Sequence, residues 1–204
     1  MTRSSGLLLL LLVWPSAALL AAPAAKPDAA SIEQVSASQT AALDLLTKWQ
    51  LPQGKLTFSQ QKWIRGLQRP LKSQGYLQFN TDTLEWVTEY PVKSAVLLDK
   101  QGVRQQMGGA YQLQAGTELI GQLMLAVLQQ DQLFLKQYFN LQALNTSAEP
   151  CVRLVPRQAP LTNFYQHIVL CGVSRLQRAE LLELGGNRSE ILISAAPEQS
   201  QSVL

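Results

Sequence analysis

The feature that most restricts the fold is a series of short, strand-like segments with no room for helices between them. After Gly54 the segments KLTFSQQKWI, GYLQFN, LEWVTEY and KSAVLLD are rich in Val, Leu, Phe, Tyr and Trp and are separated by turn residues. We expect a further strand at residues 103–107. Strands this closely spaced pair with their neighbours as an antiparallel meander. The pattern therefore predicts an antiparallel sheet.

Helical spacing appears on either side of this meander. Residues 31–49 place their apolar side chains on one arc, and Pro52 and Gly54 end the segment. Residues 117–130 form a second amphipathic segment. The pattern of residues 131–138 predicts a short helix directly after it. The last third of the chain returns to strand-like segments, CVRLVP, NFYQHIVLCGV, RAELLEL and SEILISA.

The order of elements predicts a mostly antiparallel α+β fold built on one curved sheet. A helix, about five strands, a helical pair and about four more strands follow one another along the chain. A twisted sheet with this many strands curls, and its concave face must be covered. The amphipathic helices are the available cover. We therefore expect helices that cap the sheet and enclose an apolar cavity.

The first residues of the chain predict export. Arg3 is followed by an apolar run from Leu7 to Leu20, and small residues around Ala24 suit a signal-peptidase site. The alternative is an uncleaved membrane anchor, but Pro15 interrupts the run, which is shorter than about 20 residues. We expect a signal peptide at residues 1–24, a short leader at 25–30 and one domain at 31–204.

The charge balance gives no indication of a polyanionic partner. The chain has 17 Lys and Arg, one of them Arg3 in the signal peptide, against 14 Asp and Glu, so that the balance after cleavage is +2. Basic runs interleaved with aromatic residues, which are typical of nucleic-acid binding, do not occur in the sequence. We therefore expect no nucleic-acid partner, and we expect a monomer.

Cys151 and Cys171 are the two cysteines of the chain, and export would expose them to an oxidising compartment. The strand pattern places both on one face of neighbouring strands. We expect a disulfide, which would stabilise the fold by roughly 3 kcal/mol in the chain-entropy view. The alternative is two separate thiols.

The sequence contains none of the common catalytic or metal-binding patterns. His167 is the one histidine, within a strand-like segment, and neither H-E-x-x-H, C-x-x-C nor G-x-S-x-G occurs in the sequence. We therefore predict no catalytic residue, no metal ligand and no cofactor, and we interpret His167 as a half-exposed strand residue.

The apolar residues of the sheet and of the second helix are the candidates for a ligand-binding wall. Leu84 and Trp86 share one face of their strand, as do Leu77 and Phe79 on the preceding strand. They could simply be core, or they could line a cavity opposite the helices. The predicted wall consists of Leu77, Phe79, Leu84, Trp86, Val96, Leu98, Leu119, Leu123 and Val127.

Residues 58–103 resemble the LolA-type periplasmic lipoprotein carriers. The family has a Phe-x-Gln opening, a strand with Gly-x-aromatic or Gly-x-apolar, an apolar-x-Trp strand followed a few residues later by Pro, and an apolar strand that ends in a Gly turn. These motifs match, in order, Phe58 and Gln60, Gly75 and Leu77, Leu84 and Trp86, Pro91, and Val96 to Gly102.

The resemblance implies an unclosed β-barrel with a helical lid that carries acyl chains across the periplasm of a Gram-negative bacterium. The implied cargo is the acyl chains of a lipoprotein or lipid, moved towards the outer membrane. The implied partners are an inner-membrane transporter and an outer-membrane receptor. Leu84, Trp86 and Leu77 match apolar residues of the ligand-facing strands in this family.

One motif of the family is absent. The carriers have an Arg-Pro pair between the Gly strand and the Trp strand, where the arginine helps to hold the lid, but residues 80–83 here are Asn-Thr-Asp-Thr. The sequence therefore favours acyl binding over a specific lipoprotein hand-off. The alternatives are a small enzyme acting on a hydrophobic substrate and an interaction module of an envelope complex, both on the same fold.

Overall fold

A computed structural model describes residues 29–50, 54–145 and 149–195. The proposed signal peptide and most of the proposed leader lie outside the described residues. The helices are α1 (Ala29–Lys48), α2 (Glu118–Gln129) and α3 (Gln132–Tyr138), with a short 3-10 helix at Leu161–Asn163. The strands are β1 (Gly54–Trp63), β2 (Leu71–Phe79), β3 (Leu84–Tyr90), β4 (Ser94–Asp99), β5 (Gly102–Met107), β6 (Ala110–Gln114), β7 (Phe139–Asn145), β8 (Pro150–Pro156), β9 (Tyr165–Cys171), β10 (Arg178–Glu183) and β11 (Arg188–Ala195).

All the strands of the described residues belong to one antiparallel sheet, in the order β6-β5-β4-β3-β2-β1-β11-β10-β9-β8-β7. The meander predicted after Gly54 forms one half of the sheet, and the strands of the last third form the other. The two halves join where β1 pairs with β11. The edge strands β6 and β7 are not paired with each other, so the barrel is unclosed. The predicted fold class is confirmed.

Two strands, β6 and β7, were not predicted. β6 follows the Gly108-Gly109 turn and is short, with mostly exposed or half-exposed residues, so that it lacks a clear apolar alternation. β7 begins at Phe139, directly after α3, with no turn residue between the two elements. Phe139, Leu141 and Ala143 do alternate, and this pattern could have identified the strand.

The helices cover the inner face of the sheet from two sides. α1 packs on β7 and β8, whereas α2 packs on β4 and β5 and contacts α3. Trp49, at the end of α1, is buried, and its indole N–H donates a hydrogen bond to the carbonyl of Gly172 at 2.9 Å. The apolar side chains of both helices and of the inner sheet face form one core. Among the described residues, no helix has both the length and the apolar character needed to cross a bilayer.

The structure contains the predicted disulfide between Cys151 and Cys171. The two residues are directly paired on β8 and β9, with their Cα atoms 4.1 Å apart. The guanidinium of Arg178 lies next to this bridge, 3.0 Å from the sulfur of Cys171, and forms ion pairs with Glu149 and Glu180. The bridge fastens β8 to β9 near the open edge of the sheet.

Removing the bridge should lower the stability of the protein without changing its fold. In the double variant Cys151→Ser and Cys171→Ser, we expect a loss of about 3 kcal/mol, because the unfolded chain regains the entropy of the open loop. Urea denaturation of the oxidised protein, the reduced protein and the variant would measure this loss. A reduced protein as stable as the oxidised one would contradict the expectation.

Candidate functional site

A cavity of about 260 Å³ lies between α2 and the inner face of the sheet. Its walls come from α2 and from six neighbouring strands, β3, β2, β1, β11, β10 and β9, so that the sheet curves around it. The lining residues of α2 are Ile120, Leu123, Met124, Val127 and Leu128. The other apolar and aromatic lining residues are Leu77, Leu84, Trp86, Tyr165, Ile168, Leu170, Leu176, Ala179, Leu181, Ile191 and Ile193.

Strand alternation explains why these side chains point to the cavity. Successive residues of a strand face opposite sides of the sheet, so one register places a whole set on the inner face. Leu77 is paired with Trp86, and Ala179 with Ile191. The residues between them along each strand point to the outer face. The result is a continuous apolar surface across strands that lie far apart in the sequence.

Trp86 is held in place by an aromatic neighbour. Its ring centroid lies 5.0 Å from that of Phe58, with the two planes inclined by 60°. Phe58 is buried, and Trp86 is half-buried and lines the cavity. Aromatic pairs in this geometry contribute about 0.5–1.5 kcal/mol beyond the burial of their area. The indole ring is therefore an ordered part of the wall.

The structure divides the predicted ligand-binding wall into two groups. Five of its residues line the cavity, and the other four belong to the surrounding core without lining it. The lining residues are Leu77, Leu84, Trp86, Leu123 and Val127, and the core residues are Phe79, Val96, Leu98 and Leu119. Ligand binding by any of them stays a prediction.

One end of the cavity is polar, which the sequence did not predict. Gln60, Lys62, Glu183 and Ser189 line this end. The ammonium of Lys62 donates a hydrogen bond to Glu183 at 2.8 Å, and the side-chain amide of Asn187 donates another at 2.8 Å. These two hydrogen bonds, that from Lys62 first, lower the pKa of Glu183, although partial burial opposes them. Burial and the charge of Glu183 raise the pKa of Tyr165.

A signal for the missed half of the site was present in the sequence. In RAELLEL and SEILISA, positions 179, 181 and 183 and positions 189, 191 and 193 each share one strand face. The sequence did not show that β11 pairs with β1, which brings Ser189 opposite Lys62. Without that pairing, Lys62 and Glu183 give no indication of being neighbours.

The start of α2 is seated closely on the β4–β5 hairpin. A Cβ atom on Gly121 would lie 2.3 Å from the carbonyl oxygen of Asp99 and 2.8 Å from that of Gly102. The hydroxyl of Thr117 accepts a hydrogen bond from the N–H of Val103 at 2.9 Å and donates one to the carbonyl of Gln114 at 2.6 Å. The absence of a side chain at Gly121 therefore permits this close packing.

The end of α2 is held by two glutamine side chains. The amide of Gln129 donates a hydrogen bond to the carbonyl of Thr81 at 2.9 Å, and that of Gln130 donates one to the carbonyl of Trp49 at 2.6 Å. Thr81 belongs to the β2–β3 loop, residues 80–83, which lacks the Arg-Pro pair of the carriers. The loop and α2 are therefore joined by a side chain of the helix and not by a side chain of the loop.

The one histidine and the cysteines lie away from the cavity. His167 is on the outer face of β9, and burial, followed by the charge of Arg153, lowers its pKa. In the described part of the chain, one cluster of potential metal ligands occurs, Glu149 with Cys151 and Cys171. Because the two sulfurs are joined in a disulfide, they are not available as thiolate ligands.

No protein-family model matches the sequence, and a search of curated proteins finds no match. Solved structures of similar fold include a LolA superfamily protein from Nitrosomonas europaea, 9% identical with a TM-score of 0.43 over 78% of this chain and 94% of that chain. Lipoprotein LppX of Mycobacterium tuberculosis is 12% identical, with a TM-score of 0.39 over 78% and 93% of the two chains. In the Pseudomonas aeruginosa MucA/MucB complex, the matched chain is 15% identical, with a TM-score of 0.43 over 79% of this chain and 60% of that chain.

Proposed function

We propose that this protein is a periplasmic carrier that binds an acyl chain of a lipoprotein or lipid in the cavity beneath α2 and moves it towards the outer membrane. The observation that carries the proposal is the cavity itself, whose wall is apolar over most of its extent. An apolar chain is the ligand that such a wall stabilises, because binding removes it from water.

The size of the cavity favours a single chain. Its 260 Å³ lies near the lower limit of drug-sized pockets, which occupy about 300–1,000 Å³. Burial of one methylene contributes about 0.8 kcal/mol, so a chain of roughly twelve carbons could gain on the order of 9 kcal/mol before costs. Part of that energy is needed to move α2, because the helix covers the cavity.

The contacts of α2 support its role as the lid of this carrier. The helix is seated on the sheet at Gly121 through close packing and is tied at its end by the Gln129 and Gln130 side chains. Hydrogen bonds of this kind contribute about 0.5–1.5 kcal/mol each. They are weak enough to break when the ligand enters or leaves. An inner-membrane donor and an outer-membrane receptor are the partners that this route requires.

Replacing Gln129 with alanine should speed ligand release. The variant loses the hydrogen bond to Thr81, so we expect the dissociation rate of a bound fluorescent fatty acid to rise roughly fivefold. Stopped-flow displacement would measure the rate. Gln137→Ala is the control, because Gln137 is exposed on α3. Equal rates in the two variants would show that the Gln129 contact does not hold the lid.

The proposal is tested by the lipid content of the exported protein. The protein would be purified from the periplasm under native conditions, extracted with organic solvent, and the extract examined by mass spectrometry. We expect an acylated molecule in a ratio of about one per protein, given the capacity of the cavity. Repeated absence of lipid, together with no uptake of a fluorescent fatty acid by the delipidated protein, would overturn the proposal.

A further inference from the structure

The polar end of the cavity is built where three strands end or begin. Lys62 is next to the last residue of β1, Glu183 is the last residue of β10, and Ser189 is the second residue of β11. The register places Ser189 opposite both Lys62 and Leu181. The side chains of Lys62 and Glu183 are 36% and 26% exposed, so this end of the cavity reaches solvent. A ligand whose chain lies along the apolar wall would place its head here.

The charges at this end are already neutralised by each other. Lys62 is the one cationic residue that lines the cavity in the described part of the chain, and its ammonium lies 2.8 Å from the carboxylate of Glu183. The hydrogen bond from Lys62 and that from Asn187 lower the pKa of Glu183, so the carboxylate is ionised at neutral pH. An anionic head placed beside Lys62 would meet the like charge of Glu183.

Ser189 offers hydrogen-bonding capacity that the protein does not use. The residue is only 5% exposed and lines the cavity, and its hydroxyl has no hydrogen-bond partner among the described residues. The hydroxyl oxygen is not one of the fully buried polar atoms that lack a partner, so it is open to the cavity. A ligand with an oxygen or N–H at this position would gain a hydrogen bond, which contributes about 0.5–1.5 kcal/mol. Ser189 therefore favours a polar group at the end of the bound chain.

We infer that the cavity recognises an acyl chain whose polar end is uncharged, such as a glyceryl ester, an amide or a hydroxyl, and discriminates against a free carboxylate or phosphate. This inference rests on the proposed function and specifies the head group of its ligand. The acylated glyceryl group of a lipoprotein and a neutral monoacylglycerol share this chemistry. The ion pair of Lys62 and Glu183 supplies the discrimination, and Ser189 supplies a hydrogen bond.

The test compares two ligands with the same chain, monomyristin and myristic acid. Displacement of a fluorescent probe at neutral pH would give their affinities for the delipidated wild-type protein. We expect monomyristin to bind about tenfold more tightly than myristate. This comparison uses the wild-type protein alone. Equal affinities, or tighter binding of myristate, would overturn the inference while leaving the carrier proposal intact. If neither these two ligands nor the lipopeptide described below binds, both are overturned.

Two substitutions locate the cause of the preference. Glu183→Gln leaves Lys62 without its carboxylate partner, so myristate should gain about tenfold relative to monomyristin. Glu190→Gln removes the same charge from the outer face of β11 and should keep the wild-type ratio. Ser189→Ala should weaken monomyristin about fivefold. If Glu183→Gln behaves like Glu190→Gln, the ion pair does not select the head group, and the inference fails.

A third ligand separates the two natural sources. A synthetic lipopeptide that carries an acylated glyceryl-cysteine at its N-terminus has the same uncharged ester groups as monomyristin. Binding of the lipopeptide with no binding of monomyristin would identify lipoproteins as the source. Binding of monomyristin as well would extend the ligands to free neutral lipids. Either outcome supports an uncharged head group, provided that myristate binds more weakly.

Discussion

Gly121→Ala is expected to destabilise the protein by about 3 kcal/mol, the upper part of the range for overpacked sites. The added Cβ would lie 2.3 Å from the carbonyl oxygen of Asp99, and backbone atoms cannot swing away as a flexible side chain does. Helix propensity alone gives the opposite sign, since alanine is favoured over glycine inside a helix by about 1 kcal/mol. Urea denaturation would therefore decide between close packing of α2 and simple propensity.

The same variant should also weaken acyl binding, because α2 would be displaced from the β4–β5 hairpin and would no longer cover the cavity closely. Gly185→Ala is the matched control. Gly185 lies in the β10–β11 turn, and no atom beyond its two chain neighbours lies within 4 Å of the Cβ position. We expect its stability to stay within about 0.5 kcal/mol of the wild type. A Gly121→Ala protein that is as stable as the control would contradict the seating of α2 described above.

Ala179→Phe should abolish acyl binding while leaving the protein folded. Ala179 lies on β10, is buried and lines the cavity, and the new ring would occupy space that the ligand needs. Because the ring enters an existing cavity, we expect its stability to stay within about 1 kcal/mol of the wild type. The affinity for monomyristin should fall at least about a hundredfold. Probe displacement and thermal unfolding would measure the two effects.

The control for this change is Ala110→Phe. Ala110 begins the edge strand β6 and is exposed, so the same ring is added away from the cavity. This control should bind monomyristin with the wild-type affinity. Normal binding by the Ala179→Phe protein would show that the ligand does not occupy the cavity beneath α2, even if lipid uptake itself is real.

The local elements were predictable because each has its own periodicity. The strand containing Leu84 and Trp86 and the strand containing Leu77 alternate at period two, and their pairing in the structure follows from the short turn between them. α2 has a broad apolar arc at helical spacing, which indicated its buried side. For these residues, local pattern and tertiary structure agree, as is usual for natural sequences.

The polar end of the cavity was not predictable for a different reason. Lys62 and Glu183 become neighbours only because β1 pairs with β11 and β11 pairs with β10. That order depends on how the whole sheet curls, and period-two alternation in single strands does not determine it. The loop at residues 80–83 gives a second example. Its lack of Arg-Pro was visible, but the contact from Gln129 to Thr81 requires the position of α2.

The central claim, that an acyl chain occupies the cavity beneath α2, is tested most directly by fluorine NMR of protein that contains fluorotryptophan. Trp86 lines the cavity, whereas the ring of Trp63 is covered by the guanidinium of Arg188, 4.0 Å from its centroid, away from the cavity. Single Trp→Phe variants would assign the signals. Titration with monomyristin and with myristate should shift the Trp86 resonance and leave that of Trp63 unchanged. If neither ligand moves Trp86 at concentrations that saturate binding, the acyl chain does not lie against this wall, and the claim is wrong.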